Sequence, residues 1–375
     1  MKATHFERLP RPRATNNSDL AGVILVCGPA RNEPAWRHAL DPGALLADHR
    51  AMAVYTDITD AELEAFLSTF DLGAPLVFKG IAEGIQNSNF LLETEHGRFI
   101  LTVYERGVRH EELPYFLNLL RWLAEHGFPS ATPVADRHGE LLSSLRDKPA
   151  AIVGFLPGLS VRRPTVEHCR EAGRGLAWLH QAGAGYPGRR ANDLGQAAWA
   201  PMFEPLQAAA EGFKPGLAAT IRSDLQILAR DWPRDLQAGV IHADLFPDNV
   251  FFRDGVFAAA IDFYFACDDL LAYDLAICLN AWCFEPDGSL NVTAARAMVA
   301  GYQSLRPLNA AEREALPTLA WGAAMRFFLS RLADWGMATD GAFVRPKNPM
   351  EYERKLAVHR ASQGGGLMLF GEAGA

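Results

Sequence analysis

Two hydrophobic patterns divide the chain from residue 52 onward. Short apolar runs separated by turns dominate residues 76–104, whereas apolar residues at helical spacing dominate the sequence after residue 165. The first pattern predicts antiparallel strands, and the second predicts helices. We therefore expect an α+β fold, in which an N-terminal antiparallel sheet lobe precedes a larger, mainly helical C-terminal lobe.

A glycine-bearing loop lies between the first two strand-like runs. It contains two glycines followed by amide and hydroxyl side chains, in the order Gly80, Gly84, Gln86, Asn87, Ser88 and Asn89. Bare backbone N–H groups in such a loop can approach the phosphates of ATP closely. A plain hairpin turn would have a similar composition, so both interpretations stay open. Residues 89–94 and 98–104 then predict a hairpin.

The rest of the first lobe predicts a long helix and a strand that ends at a hinge. Residues 111–126 place apolar side chains at helical spacing, with a proline in the first turn, where proline is tolerated. Residues 149–156 form an apolar run that ends at a Pro-Gly pair. Exposed strand backbone of this kind commonly binds an adenine ring, so we expect Gly154 and Leu156 to border the nucleotide.

The most specific chemistry lies in residues 241–264. His242 and Asp244 are separated by one residue, and Asn249 follows after four more. Two short apolar runs joined by a glycine-containing turn then lead to Asp262, and they predict a β-hairpin. This hairpin would bring Asn249 and Asp262 to the same end of two paired strands, where both could reach one cation.

The spacing matches the phosphoryl-transfer template of protein kinases. In that template Asp244 accepts the proton of an attacking hydroxyl, while Asn249 and Asp262 hold magnesium on the phosphates of ATP. A single aspartate beside an apolar strand is more often a turn or cap residue, but the whole combination is much harder to obtain by chance. A zinc site on His242 is disfavoured because further His or Cys ligands are missing at short spacing.

Composition sets the broad class of the protein. The chain has 375 residues, of which 49% are hydrophobic and 21% charged, and a net charge of −8. These values are typical of a globular enzyme and argue against a nucleic-acid-binding surface. No apolar run is long enough to span a membrane, and the five cysteines show no C-x-x-C spacing, so we expect a cytoplasmic protein with reduced thiols. Residues 1–51 are rich in Arg, Pro and Asn and are predicted to be a poorly ordered extension.

Several polar residues of the second lobe lie within apolar helical patterns. His180 falls on an apolar face and is expected to be a hydrogen-bonded core residue. Asp274 precedes an apolar helix, where an N-cap role is the ordinary expectation, and Asn280 could face a substrate. Arg326 and Arg331 lie on another apolar helix. Pairing with a buried carboxylate of the protein is favoured there over binding of a substrate carboxylate.

Three stretches, at residues 80–90, 242–249 and 261–282, carry a resemblance to a known family. The chain resembles the aminoglycoside phosphotransferase / choline kinase superfamily, and within it the bacterial homoserine kinases of phosphotransferase type. The resemblance covers about residues 52–359. It implies a bilobal protein-kinase-like fold, with an N-lobe at 52–153, a C-lobe at 154–345, and a final helix and loose tail at 346–375.

The resemblance also implies a reaction and roles for the motif residues. ATP and Mg²⁺ would be the cofactors, and the γ-phosphoryl group would pass to the hydroxyl of L-homoserine, giving O-phospho-L-homoserine for threonine biosynthesis. Asp244 would be the catalytic base, His242 would shape its loop, and Asn249 and Asp262 would be metal ligands. No nucleic acid or membrane is expected as a partner, and both a monomer and a homodimer stay open.

One departure and several alternatives remain. Thr102 stands where kinases place a phosphate-binding lysine, and Arg98 or Lys79 could supply the missing charge. An acceptor zwitterion needs an anion, for which Asp268, Asp269 and Asp274 are the candidates, and a cation, for which Arg326 and Arg331 are the candidates. Asn280 could also face the acceptor. A kinase for another alcohol (an aminoglycoside, choline or a sugar) and a non-catalytic pseudokinase are the competing hypotheses.

Overall fold

The structure, a computed structural model, describes residues 56–81, 87–105, 109–337 and 347–362. The predicted extension at residues 1–51, the loop residues Gly84 and Gln86, and the tail beyond residue 362 lie outside the described residues. In the described ranges no helix is long and apolar enough to cross a lipid bilayer.

The first lobe is a five-stranded antiparallel sheet flanked by two helices. Its strands are β1 (Pro75–Gly80), β2 (Asn87–Thr94), β3 (Gly97–Tyr104), β4 (Ser143–Leu145) and β5 (Lys148–Gly154), in the spatial order β1-β2-β3-β5-β4. The helices are α1 (Asp60–Leu67) and α2 (Leu113–Glu125), and a 3₁₀ turn at His110–Glu112 precedes α2.

Alternation along β3 gives this sheet two different faces. Leu101 and Val103 are fully buried in the core that α1 covers. Thr102 and Tyr104 lie on the opposite face, which we call the cleft face, and Tyr104 packs against Leu113 of α2. Register places Thr102 beside Asn89 on one neighbouring strand and Ala151 on the other.

The second lobe is mainly helical. Its helices are α3 (Val166–Ala182), α4 (Gln196–Phe203), α5 (Gln207–Phe213), α6 (Leu217–Asp231), α7 (Leu271–Trp282), α8 (Val292–Gln303), α9 (Ala310–Met337) and α10 (Met350–Ala361). Two antiparallel strand pairs lie among them, formed by β6 (Ala238–Ile241) with β9 (Cys267–Leu270) and by β7 (Val250–Arg253) with β8 (Val256–Ala260).

Close helix packing sets the core of this lobe. Helix α7 is buried on almost every side, as its continuous apolar sequence requires. Helices α3 and α8 approach so closely that a Cβ atom at Gly173 would lie 2.1 Å from the carbonyl oxygen of Met298. Gly301 on α8 is equally restricted, because its Cβ would lie 1.9 Å from the carbonyl oxygen of Arg170. Glycine is therefore a packing requirement at both positions.

The α+β prediction and the hairpin at β7 and β8 are confirmed, whereas several boundaries differ. Helix α4 begins inside a segment rich in Gly, Ala and Pro, where Pro201 and poor periodicity give little helical signal. Helix α9 continues through Pro317, although a proline inside a helical pattern usually marks a break. Strand β5 ends at Gly154, two residues early. The lobe boundary between residues 153 and 154 stays a prediction.

Candidate active site

The catalytic loop, residues 242–249, leaves β6 with a backbone turn that few residues adopt. Ala243 has φ +62°, and Asp262, on the segment that follows β8, has φ +64°. Both values lie in the left-handed region, which is costly for residues other than glycine unless the surroundings hold it. Such outliers commonly occur at functional sites, where the surrounding structure holds them in place.

The side chain of Asp274, on α7, anchors the backbone of the catalytic loop by hydrogen bonds. Its Oδ1 accepts a hydrogen bond from the backbone N–H of Ala243 at 2.9 Å, and its Oδ2 accepts one from the N–H of His242 at 2.7 Å. His180 Nε2 also reaches Oδ2, at 3.1 Å, while its Nδ1 lies 2.8 Å from the hydroxyl of Tyr302. Burial acts to raise the pKa of Asp274, but these bonds and the two histidines outweigh it and lower the pKa.

His242 links the catalytic loop to the segment that carries Asp262. The ring is fully buried, its Nε2 lies 3.0 Å from the carbonyl oxygen of Ile261, and its centroid is 4.5 Å from that of Phe263. Burial lowers the pKa of His242 and keeps the ring neutral. These contacts suit a residue that shapes the catalytic loop.

Asp244, Asn249 and Asp262 come together at the end of the β7–β8 hairpin. The Nδ2 of Asn249 donates to the backbone oxygen of Asp244 at 2.9 Å and lies 3.4 Å from its Oδ2. The N–H of Ile261 donates to the backbone oxygen of Asn249 at 3.0 Å, which joins the two strand ends. The predicted constellation is thus assembled by one hairpin and one amide side chain.

Desolvation perturbs both carboxyl groups of this cluster. It raises the pKa of Asp244 to about 7, with Asp262 and Asp248 adding to the rise and Arg326 opposing it. It raises the pKa of Asp262 to about 6, again with help from Asp248. Asp262 nevertheless opens to solvent, and Asp244 is half-buried, so both can meet a ligand. Acids with raised pKa values in a cleft are candidates for catalytic groups.

The oxygen atoms of Asn249 and Asp262 fit a magnesium ion. The amide nitrogen of Asn249 is turned towards Asp244, which leaves its amide oxygen for a cation. Mg²⁺ prefers oxygen ligands and commonly takes only one or two from protein, the rest coming from phosphates and water. Accordingly, the described part of the chain has no group of three or more His, Cys, Asp or Glu side chains that could hold a metal unaided.

Thr102, which stands where kinases place a phosphate-binding lysine, lies on the cleft face of the sheet. Thr102 donates its hydroxyl hydrogen to Oδ1 of Asn89 at 2.8 Å, and α2 presents Leu113 and Leu117 to the neighbouring Tyr104. Strand register puts Lys79 on the same cleft face, where it is exposed.

Other predicted nucleotide contacts divide into two groups. Gly80 is exposed at the end of β1, and Leu156 follows the sheet with no backbone hydrogen bond to any described residue. Ser88 instead is fully buried on the α1 side of the sheet and donates its hydroxyl hydrogen to Glu105 at 2.7 Å. Asn87 accepts from the N–H of Glu105 at 3.2 Å. Ser88 therefore has a structural role, contrary to the prediction, because alternation turns it away from the cleft.

Comparison with known proteins places this geometry in a family. The model of the phosphotransferase enzyme family matches residues 77–308. A homoserine kinase from Caulobacter vibrioides is 71% identical over 320 residues, covering 85% of this chain and 100% of that protein. The chain belongs to the phosphotransferase enzyme family, among its homoserine kinases. A homoserine kinase from Xanthobacter autotrophicus is 57% identical over 310 residues, covering 83% of this chain and 97% of that protein.

Solved structures of two small-molecule kinases share the fold. A microcompartment-associated aminopropanol kinase aligns with a TM-score of 0.63 at 19% identity, covering 82% of this chain and 99% of that one. The amicoumacin kinase hAmiN, in complex with AMP-PNP, Ca²⁺ and Ami, aligns with a TM-score of 0.60 at 16% identity, covering 81% of this chain and 92% of that one. The predicted bilobal kinase-like fold and the family resemblance are both confirmed.

Two predicted acceptor-binding residues of this family member are internal instead. Both oxygens of Asp274 are used by the catalytic loop and His180, and its side chain is fully buried. Asn280 is also fully buried. Its Nδ2 donates to the carbonyl oxygens of Ala276 and Ala320, and its Oδ1 pairs with His359. Neither residue presents a polar atom to a ligand, so both predictions are corrected to structural roles.

Asp269 and Arg326 stay available as acceptor contacts. Asp269 is half-buried, and its Oδ2 accepts from Nδ2 of Asn192 at 2.7 Å. Within the described ranges it pairs with no Lys or Arg, whereas its neighbour Asp268 pairs with Arg189. Arg326 donates to the backbone oxygen of Ala243.

The sequence reasoning missed how Asp274 acts on the site. Its position before an apolar helix predicted a cap, yet its hydrogen bonds go to a loop 31 and 32 residues earlier. The expectation for His180 is confirmed, since it is a buried and fully hydrogen-bonded core residue. The sequence did contain one signal for this contact. His180 and Asp274 are polar residues within separate apolar helical patterns, and polar groups that become buried need hydrogen-bond partners.

Proposed function

We propose that the chain is an ATP-dependent homoserine kinase that transfers the γ-phosphoryl group to the side-chain hydroxyl of L-homoserine. The product is O-phospho-L-homoserine, an intermediate for threonine biosynthesis in the cytoplasm. The observation that carries the proposal is 71% identity to a homoserine kinase over that protein's full length. The assembly of Asp244, Asn249 and Asp262 at one hairpin end supports a competent site.

Asp244 acts as the general base in this proposal. Desolvation raises its pKa to about 7, which matches a group that must accept a proton near neutral pH. Asn249 fixes the loop around it, and the hydrogen bonds of Ala243 and His242 to Asp274 fix the backbone. The carboxylate is thereby aimed before the acceptor arrives, which is how positioning contributes to phosphoryl transfer.

Asn249 and Asp262 hold Mg²⁺, which neutralises charge on the phosphates when it is bound. The backbone of Leu156 is free to pair with the adenine ring, and Gly80 and Asn89 border the phosphates. Lys79 on the cleft face supplies part of the charge that Thr102 cannot. Asp269, which lacks a cationic partner in the described part of the chain, receives the ammonium group of the acceptor.

Three aromatic residues that could form a choline-binding cage, Trp282, Tyr273 and Phe263, do not favour a choline acceptor. Trp282 is 5% exposed and donates its indole N–H to the carbonyl oxygen of Leu245 at 2.7 Å. Tyr273 is fully buried, and Phe263 is 2% exposed. An aromatic cage needs ring faces that a quaternary ammonium can reach, and these rings pack inside the lobe instead.

An ADP-release assay tests the proposal. The wild-type protein with MgATP should release ADP with L-homoserine, and much more slowly with choline or kanamycin. Asp244→Asn should lower kcat by about 10²–10⁴-fold, the usual contribution of a positioned general base. Asp254→Asn, the same change at an exposed hairpin turn, is the matched control. Turnover of another alcohol without turnover of homoserine would contradict the assignment, and wild-type rates in Asp244→Asn would contradict the role of Asp244.

A further inference from the structure

Helix α9 carries two buried arginines with different partners. Arg331 is 7% exposed, and its Nη1 pairs with Oε2 of Glu351 on α10 at 2.7 Å. Arg326 is 3% exposed, yet within the described ranges it forms no ion pair with any Asp or Glu. A buried cation ordinarily has an anionic partner, because leaving water without one is costly. Arg326 is therefore missing the kind of partner that Arg331 has.

The surroundings of Arg326 hold its guanidinium in a fixed orientation. Nη1 donates to the backbone oxygen of Ala243. The guanidinium carbon lies 4.1 Å from the ring centroid of Phe327 and 5.4 Å from that of Phe265. Aromatic rings at these distances orient the guanidinium plane. Among the residues that the structure describes, only Nη1 of the Arg326 guanidinium has a hydrogen-bond partner, and its other two nitrogens have none.

Arg326 contacts both segments that carry the carboxyl groups of the site, the one with Asp244 and the one with Asp262. Ala243, which it contacts, directly precedes Asp244, and Phe265 follows Asp262 by three residues. Its charge opposes the rise in the pKa of Asp244, which places it within electrostatic reach of that carboxyl group. An acceptor whose hydroxyl meets Asp244 would bring a group at the other end of a short carbon chain to Arg326.

We propose that Arg326 binds the carboxylate of the acceptor and thereby selects an α-amino acid over simple amino alcohols. A carboxylate supplies the anion that this buried fork lacks, and the geometry of the two groups matches. The inference rests on the proposed homoserine acceptor and deepens it. The competing explanation is that Arg326 only positions the strained peptide at Ala243, a task that needs a hydrogen-bond donor but no charge.

The test compares two acceptors that differ only in the carboxylate. L-Homoserine and 3-amino-1-propanol share the hydroxyl, the carbon chain and the ammonium group. In Arg326→Gln, whose amide can still donate to a carbonyl, kcat/KM for homoserine should fall about 10- to 100-fold, the loss of one charge-assisted pair. The fall should lie mainly in KM for homoserine, and kcat/KM for 3-amino-1-propanol should fall much less, through the weaker effect of the lost charge on Asp244 alone.

Two further variants keep the result interpretable. Arg326→Lys retains the positive charge but not the planar guanidinium group, so it should show a smaller rise in KM for homoserine. It replaces Arg326→Gln in the test if the glutamine variant folds poorly. Arg331→Gln is the matched control in the same helix. It should lower the melting temperature through loss of the Glu351 pair while the ratio of kcat/KM for the two acceptors stays at its wild-type value.

Opposite outcomes separate the explanations. An equal fall in kcat/KM for both acceptors, or a loss confined to kcat with KM for homoserine unchanged, would overturn the proposal and leave Arg326 as a positioning residue. Failure of the wild-type protein to phosphorylate homoserine would instead overturn the proposed function. The two failures are distinguishable because the second appears in the wild-type protein before any variant is made.

Discussion

Replacing Asp274 by asparagine should loosen the catalytic loop without changing the shape of the side chain. The carboxylate accepts hydrogen bonds from the N–H groups of His242 and Ala243 and from His180 Nε2. An asparagine amide offers one accepting oxygen and one donating NH₂. In its better orientation it keeps the bonds of Oδ2 and turns the NH₂ group against the N–H of Ala243.

The magnitude follows from that one unpaired donor and the lost charge. A buried N–H without a partner costs about 1–3 kcal/mol, and the remaining bonds weaken by roughly 1 kcal/mol because their acceptor is neutral. The expected loss of about 2–4 kcal/mol corresponds to a fall in melting temperature of about 3–5 °C, because a chain of 375 residues has an unfolding entropy of about 0.8 kcal/mol/K. Because Ala243 keeps φ +62° only under constraint, we also expect Asp244 to shift, and a misplacement of about 1 Å costs roughly 100-fold in kcat.

The assay measures melting temperature and kcat for wild type, Asp274→Asn and the exposed control Asp254→Asn. The pH dependence supplies an internal check on the sign. Folding lowers the pKa of Asp274, so its contribution is present above the pKa of an unfolded aspartate and is lost as pH falls through the folded value. The difference in melting temperature between wild type and Asp274→Asn should therefore be full at neutral pH and should shrink in acid.

Equal melting temperatures for Asp274→Asn and Asp254→Asn would refute the claim that Asp274 anchors the loop. A lower melting temperature with unchanged kcat would refute the narrower claim that the anchor positions Asp244. A temperature difference that grew in acid would show that the ionised form of Asp274 is not the stabilising one.

Three further predictions follow from the same geometry. Asp262→Asn should raise the Mg²⁺ concentration for half-maximal activity by at least about tenfold, because it removes the charged ligand, and an unchanged magnesium titration would argue against that role. Gly173→Ala should cost about 1–3 kcal/mol in thermal unfolding, because its Cβ would meet the carbonyl oxygen of Met298, while the exposed Gly212→Ala should not. Lys79→Gln should raise KM for ATP about fivefold at low salt and less at high salt, whereas Arg98→Gln, whose charge already faces Glu93 at 3.8 Å, should change it less.

The catalytic cluster could be predicted from the sequence because its parts are close along the chain. His242, Asp244 and Asn249 lie on one loop, and the hairpin that brings Asp262 back is specified by local turn chemistry. The same locality explains why the sheet lobe, its order before the helical lobe and most helices were predictable from apolar periodicity alone.

The partners of buried polar groups depended on tertiary structure instead. Arg326 and Arg331 share one apolar helix and are alike in sequence, but packing of α10 gives Glu351 only to Arg331. Asp274 and His180 meet across two helices far apart in the chain, and this contact decides that Asp274 holds the catalytic loop and does not bind a substrate. A sequence identifies which groups will need partners once buried, whereas only the packing of distant segments decides which partner each one receives.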